Sequence, residues 1–288
     1  MEVSESINGV SYAGSPLPNT AMYITKKVEH LIDNLYSVEG CLVFAEDTIE
    51  IPDELRRRHF FKLSPAPQRE YAVYVNHLAE EKKQRNSKRK VTFTEGCYYV
   101  GENVTIGDGA VIEPGAYIGH DVVIGQNAYI KAGASVKDTI AGDNFIACEN
   151  CTVGSTGFTM AEDEDGNKIR IPTLGKAILG DNVEIGALSN VSCGSSGNTV
   201  LGDNVKLDSL VHIGHDAQLG KNVELPAGAI VGGYCVIEDD TYVGINATLR
   251  NRIHIGKKAF IGMGAVVTKN VDDGVTVVGN PAKPFISK

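Results

Sequence analysis

From Leu201 onward an aliphatic residue returns at every sixth position: Leu201, Leu207, Ile213, Leu219, Leu225, Val231, Ile237, Val243, Leu249, Ile255, Ile261 and Val267. An earlier run does the same through Val100, Ile106, Ile112, Ile118, Ile124, Ile130 and Val136, and a short third run holds Leu179, Ile185 and Val191. The next residue is often glycine, as at Gly107, Gly119, Gly214, Gly220 and Gly244. Four residues past the aliphatic one sits a small or β-branched side chain, such as Ala110, Val205, Val211, Ala229 or Ala265. A period of six fits neither a 3.6-residue helix nor an alternating strand.

A short fixed repeat of this kind predicts a parallel β-helix. Each hexad supplies one short strand and one corner. The aliphatic residue fills the interior, the small residue fits beside it, and glycine permits the turn. Three hexads close a coil, so residues 18 apart stack, and the runs amount to about eight coils stacked on their neighbours. The expected class is mainly β, with the repeats filling 91–288.

Two stretches break the period. Residues 155–177 carry the acidic run Glu162-Asp163-Glu164-Asp165 and read as a loop thrown out of the coil. Residues 193–199, CGSSGNT, add about four residues between Val191 and Leu201. Insertions into a solenoid must leave the coil. The acidic run lacks the ligand spacing and terminal glutamate of a calcium loop.

Residues 1–90 do not repeat and read as a small α/β domain, a candidate nucleotide-binding unit. Ala21, Ile24, Val28, Leu31, Ile32 and Leu35 follow helical spacing, and Cys41–Ala45 reads as a buried strand. A short helix is expected after Pro52, a strand over His59–Leu63, and a helix opened by Pro67. The basic stretch 82–90, KKQRNSKRK, reads as a solvated linker, with phosphate contact as the sharper alternative.

Composition narrows the function. A net charge of −9 argues against nucleic acid as a partner. No run of 18 apolar residues suggests a membrane span, and the first 30 residues lack a secretory core, so a cytoplasmic location is expected. The six cysteines are scattered. Cys148 and Cys151 form a single CxxC without a second pair, so they are expected to pack as small hydrophobes and not to bind metal.

The quartet Ile-Gly-His-Asp occurs twice, at 118–121 and 213–216. Stacking separates the copies. Gly233, Asn251 and Lys269 follow His215 at intervals of 18, whereas Asp138 follows His120. A histidine overlaid by a glycine combines a base with an accessible backbone N–H, the pair that acyl transfer needs. His215 is therefore the candidate base, Gly233 the oxyanion donor and Asp216 the candidate orienting acid, while His120 is expected to be a surface histidine.

Residues 206–220, KLDSLVHIGHDAQLG, with the preceding GFTM, KIRIPTLG and ILGDNVEIGALSNV, resemble UDP-3-O-acylglucosamine N-acyltransferases of lipid A synthesis over about 91–267. The segments CLVFAED and APQREYA resemble their uridine-binding domain more faintly. Arg252 stands where that family has a second functional histidine, and Gln68 where it has a stacking aromatic. Phe60 or Phe61 would then stack on the base. Residues 215–285 resemble sialic-acid O-acetyltransferases and bacillosamine-type N-acetyltransferases, whose base matches His215 and whose carbonyl-binding glycine matches Gly233.

These resemblances imply a left-handed β-helix, a homotrimer, and a coenzyme A thioester running past Gly233, Asn251, Gly262 and Lys269 to Gly279, Pro281 and Lys283. The chain stops at Lys288, without the helices that seat acyl carrier protein in the lipid A enzyme, which favours acetyl-coenzyme A or another short acyl donor. The expected reaction is N-acylation of a nucleotide-linked amino sugar for surface polysaccharide or glycolipid, including lipopolysaccharide, with His212 lining the substrate cleft. The alternatives are the lipid A enzyme itself, fed by acyl carrier protein, and a non-catalytic trimeric scaffold. A zinc enzyme would need a third histidine stacked with His212 and His215, which the sequence lacks.

Overall fold

The computed structural model describes residues 7–284. The chain divides into two compact units: one takes in the chain up to Ser87 with Phe158–Gly175 and Ser195–Gly197, the other Lys88–Gly157, Lys176–Gly194 and the chain from Asn198.

The larger unit is a left-handed parallel β-helix of hexapeptide repeats. Its two- to four-residue strands stack into three sheets. One runs from Val111–Ile112 to Lys283–Pro284 and a second from Thr92–Phe93 to Val266–Val267, with Lys283–Pro284 and Thr92–Phe93 as antiparallel edge strands; a third runs from Thr105–Ile106 to His254–Ile255. His212 pairs with Ile230, 18 residues on, as the period requires. Asn190 pairs with His212 at 22, so CGSSGNT is absorbed by one coil. Thr139 pairs with Ala177 at 38, which spans the acidic insertion.

The hexad pattern has a direct physical cause. Ile118, Ile213, Leu249 and their equivalents are buried in one continuous core, each contributing about 1.5–3 kcal/mol by leaving water. A Cβ on Gly214 would lie 2.5 Å from the amide nitrogen of Gly233, so only glycine lets the next coil approach at that corner. Many corners place Asn or Asp in the left-handed region, including Asn204, Asn222 and Asp240, because these side chains tolerate it best. Stacked asparagines then bridge the coils, with Asn204 Nδ2 donating to Asn222 Oδ1 at 2.9 Å.

The smaller unit has a three-stranded parallel sheet, Ala21–Ile24, Leu42–Glu46 and Phe60–Ser64 in that order. The helical spacing read from Ala21 is corrected here. Ala21–Ile24 is a strand paired with Leu42–Ala45, and the helix, of 3-10 form, covers only Lys26–Ser37. Pairing in a buried sheet overrides the local pattern. Helices cover Asp53–Arg58 and Pro67–Ser87. The second runs through most of the basic stretch read as a linker. Its Tyr71, Ala72 and Val75 pack against Phe44, Ala161 and Ile171. Within the acidic insertion, Thr159–Glu162 and Lys168–Ile171 form an antiparallel hairpin. Among the described residues no helix is long and apolar enough to cross a membrane.

Candidate active site

His215 sits at the corner between the second and third sheets, two residues past the buried Ile213. The next residue, Asp216, takes the left-handed conformation with φ 60°. That turn folds its carboxylate back onto its neighbour, and His215 Nδ1 meets Asp216 Oδ2 at 2.8 Å. The Asp216 side chain is only 5% exposed and that of His215 14%. The backbone N–H of Asp216 donates to Thr199 Oγ1 at 2.8 Å, which pins the corner from the preceding coil. Gln218 Nε2 adds a bond to Asn198 O at 2.7 Å.

A carboxylate only accepts, so His215 Nδ1 carries the proton and Nε2 keeps its lone pair. That ring edge lies over Gly233: a Cβ there would come within 2.8 Å of both Cε1 and Nε2. No hydrogen bond among the described residues uses the Gly233 N–H. The arrangement therefore sets a base with an oriented lone pair beside an unused backbone donor, which can take a proton from a nucleophile and stabilise an oxyanion.

The strand registers Ile230↔Thr248 and Thr248↔Val266 carry Asn251 and Lys269 along the same column as His215 and Gly233. Gly262, Gly279, Pro281 and Lys283 are placed elsewhere. A Cβ on Gly262 would strike Val278 at 2.8 Å, Gly279 O accepts from Val266 N, and Lys283 pairs with Val278, so this group gathers where the last strands of the first and second sheets meet. His212 stands on the second sheet with its tip exposed and Nδ1 3.2 Å from Asn190 Nδ2. Desolvation by surrounding protein, followed by the nearby His215, lowers its basicity.

Phe60 and Phe61 belong to the smaller unit. They line a cavity of about 680 Å³ with Leu42, Phe44, His59 and Tyr74, and with Arg56, Lys62 and Glu70 at its wall. Lys62 and Glu70 pair at 2.6 Å, which holds the carboxyl below its usual range. The Tyr74 hydroxyl is buried and meets no hydrogen-bond partner among the described residues. His59 is a structural histidine: it accepts from Cys41 N at Nδ1 and meets Leu35 O at Nε2, and burial lowers its basicity.

Cys148 and Cys151 are buried free thiols. Burial raises the Cys151 thiol to about 12. Among the described residues no three His, Cys, Asp or Glu side chains gather as metal ligands would.

Tyr234 and Thr199 were not singled out from the sequence. Tyr234 was readable, since it lies 18 residues past Asp216. Thr199 was not, because its register toward this coil is the ordinary 18 and sets it opposite Ala217, while its hydroxyl reaches the Asp216 N–H one residue off that stack.

The model of bacterial transferase hexapeptide (six repeats) matches residues 99–138, 198–233 and 234–269. The chain is 43% identical over 144 residues to the UDP-3-O-acylglucosamine N-acyltransferase of Caulobacter vibrioides strain NA1000, covering 50% of this chain and 42% of that protein. It is 39% identical over 148 residues to UDP-3-O-acylglucosamine N-acyltransferase 2 of Legionella pneumophila strain Paris, covering 51% and 43%. The chain thus spans less than half the length of these relatives. Among solved structures it is similar to the UDP-N-acetylglucosamine acyltransferase of Arabidopsis, with TM-score 0.58, 26% identity and 65% of each chain covered. The enzyme of the same name from Campylobacter jejuni matches with TM-score 0.59 and 25% identity, over 66% of this chain and 72% of that one.

Proposed function

We propose that this protein is an N-acyltransferase that moves an acyl group from a thioester to the amine of a nucleotide-linked amino sugar. The reading is carried by one observation: His215, with Nδ1 held by Asp216, sets its Cε1–Nε2 edge over Gly233, whose N–H enters no hydrogen bond among the described residues. The sugar amine attacks the thioester carbonyl as His215 Nε2 takes its proton. The Gly233 N–H donates to the oxyanion of the tetrahedral intermediate. The carbon–sulfur bond then breaks, the thiolate takes the proton back from the imidazolium, and the products are an amide and a free thiol.

The names of the similar proteins support a UDP-linked glucosamine bearing a 3-O-acyl chain as acceptor. In the smaller unit, the aromatic cavity at Phe60 and Phe61, with the unpartnered Tyr74 hydroxyl, supports a nucleobase site. The column of Asn251 and Lys269 beyond Gly233 supports a path for the donor's pantetheine arm, which coenzyme A and acyl carrier protein share. Gly262, Gly279, Pro281 and Lys283, gathered elsewhere, would touch only the far end of a coenzyme A donor. A homotrimer belongs to the same reading and is checked by light scattering on the purified protein.

The test is a thiol-release assay with acetyl-coenzyme A, longer acyl-coenzyme A and acyl carrier protein thioesters against UDP- and dTDP-linked amino sugars. Amide formation on one acceptor, lost in His215→Ala, is the expected result. Thiol release that survives His215→Ala would reject this base, and silence across all donors and acceptors would favour the non-catalytic scaffold.

A further inference from the structure

Nineteen non-glycine residues among those described have positive φ, and the corner positions are mostly Asn or Asp. Bulky side chains there are outliers that ask for a reason. Two of them, Tyr234 at φ 60° and Arg252 at φ 63°, stand on one column directly beyond Asp216. Backbone bonds fasten both corners to the site: Tyr234 N donates to His215 O, and Arg252 N donates to Gly233 O, each at 3.0 Å. The side chains continue the contact. The Tyr234 ring stands at 89° to the His215 imidazole with centroids 5.1 Å apart, and the Arg252 guanidinium lies over the Tyr234 ring, 4.0 Å from its centroid.

We infer that Tyr234 and Arg252 are positioning residues for the base, a point that rests on the acyl-transfer reading of His215. Asp216 holds one atom of the imidazole, Nδ1, and rocking of the ring about that bond is a motion its neighbours can limit. The Tyr234 ring supplies a second restraint on that motion through perpendicular aromatic packing. Tyr234 is itself only half-buried, and the planar cation of Arg252 stacked on it holds its ring in place. The left-handed backbone is what brings both side chains back toward His215 along the column. Arg252 thus acts through Tyr234, and neither needs to touch the reacting atoms. At the other copy of the quartet, Asp138 occupies the column position beyond His120, and no aromatic contact to His120 occurs among the described residues.

The test compares Tyr234→Ala, Tyr234→Phe, Arg252→Met and Arg252→Lys with the parent protein, reading kcat and KM separately. Tyr234→Ala is expected to lower kcat by about tenfold to a hundredfold, the scale of a misplaced catalytic group, with KM for the amino sugar unchanged. Tyr234→Phe restores most of that loss. Arg252→Met lowers kcat by a few-fold, and Arg252→Lys recovers part of it. Deuterium exchange at the histidine Cε1 position, read by mass spectrometry, follows each ring without any substrate. His215 should exchange faster in Tyr234→Ala and Arg252→Met, while His120 stays unchanged.

A kcat within twofold of the parent in Tyr234→Ala, or a loss confined to KM, overturns the inference. So does a His215 exchange rate indifferent to both substitutions. Where no acceptor is turned over at all, the exchange rates still decide the clamp, and only the proposed function fails. If Tyr234→Ala does not fold, Arg252→Met decides in its place, because it removes the clamp from outside the corner.

Discussion

The two Ile-Gly-His-Asp corners share a backbone and differ in everything their side chains do. Asp121 and Asp216 both sit in the left-handed region, at φ 59° and 60°. Asp216 turns to its own histidine, at 2.8 Å. Asp121 turns away: Arg89 grips its carboxylate with both terminal nitrogens, and Asn103 adds a bond at 2.9 Å. His120 is then left to the backbone, and its Nδ1 accepts from Glu102 N at 2.9 Å. Opposite tautomers follow. Neutral His120 must carry its proton on Nε2, so its outward nitrogen is a donor; neutral His215 carries it on Nδ1, so its outward nitrogen is a base. The same four letters thus yield one corner whose aspartate is held by an arginine and one whose aspartate holds its own histidine.

The largest contrast should come from removing the histidines themselves. His215→Ala is expected to cost about 10³-fold in kcat, within the range general-base removal produces, while His120→Ala leaves kcat within twofold. Steady-state rates on the acceptor found in the donor panel measure both, and equal losses would erase the distinction. The glycines come next. Gly233→Ala puts a methyl 2.8 Å from Cε1 and Nε2 of His215, so the ring must move, and kcat should fall about 10²-fold with melting little changed. Gly101→Ala does the reverse. Its methyl would strike the backbone nitrogen of His120 at 2.6 Å and Gly119 C at 2.8 Å, which neither can evade, so melting falls by about 1–3 kcal/mol of stability and kcat is spared. Smaller again is Asp216→Asn, where an amide oxygen can still accept from Nδ1 but the charge that stabilises the imidazolium is gone. A loss of about 10–10²-fold in kcat, against none for Asp121→Asn, is the expected contrast.

Much of this was legible before any coordinates. The six-residue period announced the β-helix, and the 18-residue stack put Gly233 over His215, because both depend only on which side chains fit inside and on the length of a coil. The direction of each aspartate was not legible. It turns on Arg89, 32 residues from Asp121 and separated from it by a coil and a half of repeats. The Thr199 bond to Asp216 was hidden because it is a side-chain bond 17 residues back, one position off a stack that stays at 18 here. In the smaller unit, Ala21 and Ile24 fit a helical stripe by spacing alone, yet parallel pairing with Leu42 to Ala45 made them a strand. Where Gly262 and Gly279 lie relative to the Gly233 column was not legible either, because motif order along the chain does not say which corner of a triangular coil a residue occupies.

Acid gives the smallest and most selective contrast. The Arg89 guanidinium beside Asp121 pulls its carboxyl from an ordinary 3.8 down to about 2. A carboxylate more acidic when folded than when unfolded stabilises the fold above its unfolded value and loses that contribution as pH falls through the folded one. The window is therefore about pH 4 to 2, and the sign is loss on acidification. The Asp121 side chain is about half exposed, at 48%, so the contribution to global stability is small and screened by salt. It should nevertheless be visible locally, as faster amide exchange at Glu102, Asn103 and Asp121 as pH drops through that window, after correction for intrinsic rates. Asp121→Asn should show the faster exchange already at neutral pH and no further rise in acid. The corner at Asp216 should not follow in step, because its carboxylate is tied to a histidine inside the site. If both corners loosened together in Asp121→Asn, the two quartets would be one coupled structural element, and the division between a pinned corner and a working one would fail.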